Sequence, residues 1–254
     1  MQVGLIGAGN MARALARGWG DPVLCSDGGS GRARALVDEL GGEAFESNLD
    51  VARRADLVVL CHKPGQLRQV AREIAGEAKA VASVLGGTTI AALQDAYPNA
   101  PVFRLMPNTP VEVRRGIVCY AAAAGVPIEL DEQVMALFAR LGTVVTLEER
   151  LIDPASAVMG VAPAYLALVA EAQTDAAIRH GLGAAIAAPL VTETMSGTAA
   201  LLEARDYDTL AVRREVTSPG GSTARGLAAL ERGGLRSAFQ AAMDAVLEPG
   251  GSGR

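Results

Sequence analysis

The sequence is poor in aromatic residues, in histidine and in cysteine, and these shortages limit the kind of core, catalytic site and metal site that the protein can have. Aromatic residues are 4% of the 254 positions, so we expect a core built mainly from Ala, Val and Leu. The formal net charge is −5 and no Lys/Arg-rich block occurs. This argues against a nucleic-acid partner, because neutralising phosphates needs a clustered positive face. The two histidines, His62 and His180, have no partner pattern, so the sequence supports neither a catalytic triad nor a metal site.

The three cysteines have no metal-binding spacing, and the chain shows no targeting segment. Cys25, Cys61 and Cys119 lie in or beside apolar runs, where a free buried thiol is usual, and this favours a reducing compartment. The first ten residues lack the basic and apolar regions of a signal peptide. No stretch approaches the roughly 18 apolar residues of a membrane span. We therefore expect a cytoplasmic protein that does not enter a membrane.

In residues 1–150, short apolar runs rich in β-branched side chains alternate with helical patterns. Strands separated by helices predict a mostly parallel sheet with helices on both faces. The predicted strands are Val3–Ile6, Val23–Ser26, Leu57–Cys61, Val81–Leu85, Val102–Leu105, Ile117–Tyr120 and Val144–Leu147. The predicted helices are Ala12–Gly18, Arg32–Leu40, Gln66–Ala75 and Thr89–Ala96. The pattern predicts an α/β domain over residues 1–150.

Residues 151–254 have a different pattern, with no strand expected and several helices. Pro163 is expected to open a helix that runs to about His180 and is apolar on most of its circumference. An apolar stripe follows on the next helix: Val191, Met195, Thr198 and Leu202. So much apolar helix surface predicts a dimer core, with one buried central helix in a monomer as the alternative. The tail, 248–254, is rich in Gly and is expected to be disordered.

The first predicted strand leads into GAGNMA at residues 7–12, which has the pattern G-x-G-x-x-A. Gly7 permits a tight turn, Gly9 lets the backbone approach a pyrophosphate, and Ala12 keeps the following helix close to the sheet. The helix N-terminus supplies amide donors, with Asn10 and Met11 as neighbouring contacts. The strand–motif–helix context predicts a Rossmann-like dinucleotide-binding domain. The alternative is a glycine-rich turn that binds no nucleotide.

The choice between NAD and NADP stays open in the sequence. The second predicted strand ends at Ser26 and Asp27, about 20 residues after Gly7, the spacing of an acidic ribose ligand. An Asp there favours NAD, because it would repel a 2′-phosphate. However, the following segment GGSGRAR supplies hydroxyl and amide groups and Arg32, which suit that phosphate.

Two further loops follow predicted strands at the edge of the sheet where ligands bind. Lys63 and Pro64 follow the strand 57–61, and Lys63 is a catalytic residue, a cofactor contact or a solvated loop cation. Asn108 lies in the twice-proline segment RLMPNTP at 104–110 and is a candidate substrate contact.

The segment TSPGGST at 217–223 looks like the start of a helix. Ser218 is the expected N-cap and Pro219 the first helical residue, ahead of a helical run from Ala224 to Glu231. Two glycines in the first turn would leave its N–H groups bare. With the hydroxyls of Ser222 and Thr223, such a turn suits a small carboxylate.

These segments together resemble the pyrroline-5-carboxylate reductases. The likeness runs through GAGNMA, SN at 47–48, KP at 63–64, RLMPNTP at 104–110, PAY at 163–165 and VTSPGGSTARGLAALERGGLR at 216–236. The resemblance implies reduction of 1-pyrroline-5-carboxylate to L-proline by hydride transfer from NADPH, or alternatively NADH. It also implies homodimers or larger homo-oligomers with interleaved helical domains.

The resemblance further implies roles for individual residues. Asn48, Lys63 and Pro64 would contact the cofactor. The substrate carboxylate would be held across the dimer by Gly221, Ser222 and Thr223, with Thr223 and Ser222 the catalytic candidates. An imine that accepts hydride readily explains why no acid/base triad is present, since orientation of the two bound molecules does most of the work.

The sequence departs from the family at Met159-Gly160-Val161-Ala162, where relatives commonly have S-G-S-G. The loss of two hydroxyls favours, as an alternative, a reductase of the same architecture that acts on a different cyclic imine. A non-catalytic nucleotide-binding protein is a further alternative. A hydroxyacid dehydrogenase with a catalytic lysine in the helical domain is excluded, because no lysine follows Lys79.

Overall fold

A computed structural model describes residues 1–248 and begins with an eight-stranded sheet. The strands are β1 (Val3–Ile6), β2 (Val23–Ser26), β3 (Gly42–Phe45), β4 (Leu57–Leu60), β5 (Val81–Ser83), β6 (Val102–Pro107), β7 (Gly116–Ala122) and β8 (Gly142–Thr146). The order across the sheet is β3-β2-β1-β4-β5-β6-β7-β8, and only the β6–β7 pair is antiparallel. Strands β1 to β3 are added toward one edge of the sheet and strands β4 to β8 toward the other. The strand order therefore reverses between β1 and β4, which is the topological switch point where such sheets bind ligands.

Helices cover both faces of this sheet and form most of the described residues after it. They are α1 (Asn10–Trp19), α2 (Arg32–Leu40), α3 (Asn48–Arg54), α4 (Leu67–Ile74), α5 (Ile90–Ala96), α6 (Ile128–Ala139), α7 (Ile152–Met159), α8 (Ala162–Arg179), α9 (Ala184–Glu203), α10 (Thr209–Glu215), α11 (Ser222–Arg232) and α12 (Leu235–Leu247). Short 3₁₀ helices span Pro64–Gln66, Thr109–Val113 and Glu149–Leu151. The predicted fold class, a mostly parallel Rossmann-like sheet followed by an all-helical region, is confirmed.

The core consists of two layers, one on each face of the sheet. Successive side chains of β1 point to opposite faces: Leu5 packs in the layer that contains Trp19, and Ile6 in the layer that contains Tyr97. Trp19 packs edge-on against Phe138 with ring centroids 5.4 Å apart. Ala, Val and Leu dominate both layers, as the shortage of aromatic residues predicts.

One strand, β3, and three helices of the first unit, α3, α6 and α7, were not predicted from the sequence. β3 has the sequence GEAF and is largely exposed at the sheet edge, so it has no apolar run to mark it. It exists because it pairs with β2, and its close approach requires glycine: a Cβ on Gly42 would come within 2.0 Å of the Val23 carbonyl oxygen. α3 has a more ordinary signal, since the Ser47 hydroxyl caps it by accepting from the Leu49 N–H at 3.1 Å. The other two unpredicted helices are α6 and α7.

The chain divides into two compact units, Met1–Pro163 and Ala164–Arg254. α7 belongs to the first of these units, and residues 151–163 of that unit lie beyond the predicted boundary at residue 150. That domain boundary stays a prediction. In the part of the second unit that the structure describes, which ends at residue 248, only helices and turns occur. The predicted disordered tail lies, from residue 249 onward, outside the described residues.

Two helical stretches are more apolar on average than their longest uninterrupted apolar runs suggest. The stretches Glu149–Arg179 and Ala184–Glu203 are long and apolar enough to cross a membrane by length and composition, with mean hydropathies of 1.5 and 1.3. The statement that no stretch approaches a span was therefore wrong, because isolated polar residues interrupt these helices without lowering their average much. Only 6% of each apolar window is buried within the chain, so these surfaces lack a partner in a single copy.

Candidate functional site

A cleft of about 1110 Å³ lies in the first unit, where β1, β2 and β4 end. It brings together most of the residues predicted to bind a cofactor: Gly7, Gly9, Asn10, Met11, Asp27, Arg32, Asn48, Lys63 and Pro64 line it. Ala12 and Ser26 are fully buried and do not line it. The register aligns these ends, since Ile6 lies beside Ser26 on one side and Leu60 on the other.

The glycines of GAGNMA have the geometry that a dinucleotide requires. Gly7 has a φ of 101°, and a Cβ there would lie 2.8 Å from backbone atoms of Cys61 and His62. Gly9 is the N-cap of α1, with no side chain capping the helix, and a Cβ there would meet nothing within 4 Å. The open space above Gly9 and the uncapped N-terminus of the ten-residue α1 suit a pyrophosphate. The residues present therefore fit the group.

Asn48 connects two walls of the cleft through its side-chain amide. The Ser26 hydroxyl donates to Asn48 Oδ1 at 2.7 Å, and Asn48 Nδ2 donates to Glu73 Oε2 at 2.6 Å. β2, α3 and α4 are thereby joined beside the cleft. Sequence reasoning named Ser26 and Asn48 but missed Glu73, which lines the cleft from α4. Its only signal is a polar position on the helix that follows Lys63-Pro64.

His62 is a further cleft residue that sequence reasoning left without a role. Its Nδ1 lies 2.8 Å from the Lys63 carbonyl oxygen, so Nδ1 carries the hydrogen in that contact. Its Nε2 is buried with no hydrogen-bond partner among the described residues. Burial lowers the pKa of His62, so the ring is neutral near pH 7. The neighbouring Lys63 is exposed at the cleft mouth.

The RLMPNTP segment attaches α7 to the sheet at two points. The Asn108 side chain accepts from the Ile117 N–H at 2.9 Å and donates to the Met159 carbonyl oxygen at 3.2 Å. Arg104, almost fully buried, pairs with Glu149 at 3.3 Å and with Asp153 at 2.5 Å. Both ends of α7 are therefore held by β6 and the residue after it. Asn108 is buried, and its role as a substrate contact stays a prediction.

The segment at 217–223 begins its helix later than the sequence pattern suggests. Ser218 is not the N-cap: α11 begins at Ser222, with Gly221 as the N-cap and no side chain capping it. Pro219 and Gly220, whose φ is 69°, form a turn closed by the Gly221 N–H donating to the Ser218 carbonyl oxygen at 3.0 Å. The turn takes the residues that would otherwise form the first helical turn.

The uncapped N-terminus of α11 agrees with the predicted carboxylate site in its chemistry. Among the described residues, none accepts from the N–H groups of Ser222, Thr223 or Ala224. A Cβ on Gly221 would lie 2.4 Å from Ser218 Oγ, so the serine side chain would have to move to admit it. These residues belong to the second unit, and the cofactor residues and Asn108 belong to the first.

The fold and the cleft define a dinucleotide-binding α/β protein with a helical second unit. A family model described as pyrroline-5-carboxylate reductase dimerisation matches residues 149–250, and one described as NADP oxidoreductase, coenzyme F420-dependent, matches residues 2–87. The pyrroline-5-carboxylate reductase of Synechocystis is 34% identical over 97% of this chain and 96% of its own length. That of Corynebacterium melassecola is 32% identical over 97% and 96%. The chain belongs to the pyrroline-5-carboxylate reductase family.

Solved structures of the family agree with this assignment. The Streptococcus pyogenes reductase matches with a TM-score of 0.89 and 28% identity, covering 97% of this chain and 96% of that one. The Plasmodium falciparum pyrroline carboxylate reductase, solved with NADP bound, matches with a TM-score of 0.87 and 26% identity over 97% and 95%.

Proposed function

We propose that this protein reduces 1-pyrroline-5-carboxylate to L-proline with NADPH, as a cytoplasmic enzyme of proline biosynthesis. The observation that carries the proposal is the family relationship over 97% of the chain, in a protein that keeps both the dinucleotide cleft and an uncapped α11. The bound cofactor would supply a hydride to the imine carbon. The chain itself has to hold both molecules in line and to provide one proton for the ring nitrogen.

The cofactor-binding residues divide by their position in the cleft. Gly7 and Gly9 admit the pyrophosphate to the backbone, and Asn10 and Met11 flank it at the start of α1. Asp27 follows the end of β2 and Arg32 begins α2, and both line the part of the cleft where the adenosine ribose of such cofactors binds. Lys63 and Pro64 lie after β4, on the other side of β1, and so face the nicotinamide half.

The substrate carboxylate would bind at the start of α11. Gly221 leaves the backbone N–H groups accessible, and the hydroxyls of Ser222 and Thr223 add donors. The negative charge of a carboxylate is favoured there by the helix dipole. A hydroxyl of Thr223 or Ser222 is the candidate donor of the proton to the ring nitrogen.

A homodimer through the second unit explains the apolar surface of its helices. Leu168 on α8 and Leu190 on α9 are 64% and 55% exposed in a single copy. The matching family model is described as a dimerisation domain and covers both helices. Burying such residues in a shared core would contribute roughly 1.5–3 kcal/mol for each large side chain.

A second candidate substrate is another cyclic imine. It is favoured by Met159 and Val161, apolar residues where relatives commonly carry serine. Met159 packs in a cluster with Met106 and Ile152, so its side chain fills space beside α7. A binding site that has lost two hydroxyls would hold a less polar substrate more readily.

The deciding experiment follows the absorbance of NADPH and NADH with pyrroline-5-carboxylate as the substrate. Rapid oxidation is expected, and cofactor binding without oxidation of any imine would contradict the proposal. Oxidation only with other cyclic imines would favour the second candidate.

The Thr223→Ala variant tests the carboxylate site. We expect the substrate KM to rise about tenfold while the affinity for the cofactor stays unchanged, because one hydrogen bond to a charged group is lost. Thr143→Ala on the exposed edge strand β8 is the matched control. An unchanged KM for Thr223→Ala would remove this residue from the site.

A further inference from the structure

The Asp27 loop, residues 27–33, consists of the loop after β2 and the first two residues of α2, and it is built around the carboxylate of Asp27. Its Oδ1 accepts from the N–H groups of Gly29 at 2.9 Å and Ser30 at 3.2 Å. Its Oδ2 accepts from the Ser30 hydroxyl at 2.7 Å and the Ala33 N–H at 2.9 Å. An ionised carboxylate offers about four acceptor positions. The loop itself therefore uses all of them.

These hydrogen bonds also change the electrostatic character of Asp27. Burial alone would raise its pKa, but the donors from Ala33, Ser30 and Gly29 outweigh burial and hold the pKa below its usual value. The carboxylate is ionised at neutral pH, and its charge is stabilised by four donors from the loop and the start of the nine-residue α2. Each oxygen already accepts two hydrogen bonds, so the 2′-hydroxyl of an adenosine ribose would have to displace one of these donors.

The loop presents a cation and open space to the cleft instead. Arg32 lines the cleft, and no carboxylate lies within ion-pair distance of it in the part of the chain that the structure describes. Gly28, Gly29 and Gly31 all have positive φ, and a Cβ on any of them would meet nothing within 4 Å. A bulky anionic group can therefore approach this backbone closely, beside a guanidinium that suits phosphate geometry.

We propose that Asp27 is a positioning residue that shapes this loop into a receptor for the 2′-phosphate of NADPH, with Arg32 as the phosphate ligand. An Asp at the end of the second strand ordinarily marks NAD, because its free carboxylate accepts from the ribose and repels a phosphate. Here the carboxylate is directed into its own loop, so the residue that suggests NADH in the sequence serves NADPH in the structure. The inference rests on the proposed function only in that a nicotinamide dinucleotide occupies the cleft.

The test measures calorimetric binding of 2′,5′-ADP and of 5′-ADP to the full-length protein, which needs no turnover. We expect 2′,5′-ADP to bind at least about tenfold more tightly, since the two differ only in the 2′-phosphate. Arg32→Gln should remove most of this difference. Arg34→Gln is the matched control, because Arg34 lies on the same helix, is exposed and is outside the cleft lining. Equal affinity for the two ligands, or equal effects of the two variants, would overturn the proposal.

Asp27→Asn separates the positioning role from that of a ribose ligand. The amide keeps the size of the side chain but replaces one acceptor oxygen with a donor, so the loop loses part of its hydrogen bonding. We expect 2′,5′-ADP to bind about tenfold more weakly, with little change for 5′-ADP. Tighter binding of 2′,5′-ADP with weaker binding of 5′-ADP would make Asp27 the ribose ligand and overturn the proposal. The Arg32 and Arg34 pair decides the question if Asp27→Asn does not fold.

The outcome can be told apart from that of the proposed function. Tight binding of 2′,5′-ADP with no imine reduced would contradict the activity and leave the role of Asp27 intact. Imine reduction that is faster with NADH, together with equal ADP affinities, would contradict the role of Asp27 alone.

Discussion

The two compact units of this chain treat their apolar residues in opposite ways. In the first unit, strands such as β1 and β4 are covered on both faces, and Leu5, Val58 and Leu60 are fully buried. In the second unit, α8, α11 and α12 have no buried residue at all in a single copy. The difference indicates that one unit completes its core by itself, while the other carries a surface for a second copy of the chain.

The largest effect is expected from a charge on the apolar surface of the second unit. Leu168→Glu on α8 should abolish dimer formation and reduce activity at least about a hundredfold, because an unpaired carboxylate would have to be buried in the shared core. Light scattering after size exclusion reads the oligomeric state. Leu168→Met, which conserves volume, should remain dimeric. A fully dimeric, active Leu168→Glu protein would show that α8 is not in the interface.

A smaller and more local loss is expected in the first unit from Gly7→Ala. The added Cβ meets backbone at 2.8 Å, and the φ of 101° is strained for alanine at a cost of about 1–3 kcal/mol. Cofactor affinity measured by fluorescence should fall at least about tenfold, with the dimer intact. In Gly9→Ala the added Cβ meets no atom of the protein within 4 Å. This variant should therefore lower cofactor affinity without changing thermal stability. If both variants lost thermal stability, the two glycines would be needed for folding and their role in cofactor binding would be contradicted.

Asn108→Ala should have an intermediate effect, because the residue holds the last carbonyl of α7. Leaving the Ile117 N–H without its side-chain acceptor costs about 1–3 kcal/mol. We expect lower thermal stability and a substrate KM raised about fivefold, with cofactor affinity unchanged. Asn108→Asp keeps the acceptor for Ile117 but sets a buried carboxylate oxygen against the Met159 carbonyl oxygen, so its effect reports on the second contact. A KM effect in Asn108→Ala without any loss of stability would instead favour direct contact with the substrate.

The smallest effect is expected from restoring the hydroxyls at positions 159 and 161. If the natural substrate is pyrroline-5-carboxylate, the double variant Met159→Ser, Val161→Ser should change kcat/KM for it by less than about threefold, since the existing site already accepts it. A clear rise in kcat/KM would instead favour the other cyclic imine as the natural substrate. The thermal stability of the double variant should be measured as well, because removing the Met159 side chain leaves a space in its cluster that could itself lower stability.

Local patterns were enough to predict most of the sheet and the existence of the cleft. β1, β2 and α2 have the bounds predicted for them, because continuous apolar runs and glycine-ended helices are signals carried by neighbouring residues. The G-x-G-x-x-A motif likewise places the cleft, since strand, turn and helix follow one another directly in the chain. β3 escaped prediction because its partner strand, rather than its own composition, makes it a strand.

Tertiary structure decided what the individual polar side chains do. Asp27, Asn48 and Asn108 all stand at positions that predict ligands, and in the fold their polar side-chain atoms are engaged within the protein. The Asp27 carboxylate accepts from its own loop. The side-chain amides of Asn48 and Asn108 bond to residues distant in the chain. Hydrogen-bond partners far apart in the chain, such as Asn108 and Met159, leave no mark in a local pattern. Residue types and spacing thus determined the kind of protein, while burial and the competition for hydrogen bonds, which exist only in three dimensions, determined which side chains remain available to a ligand.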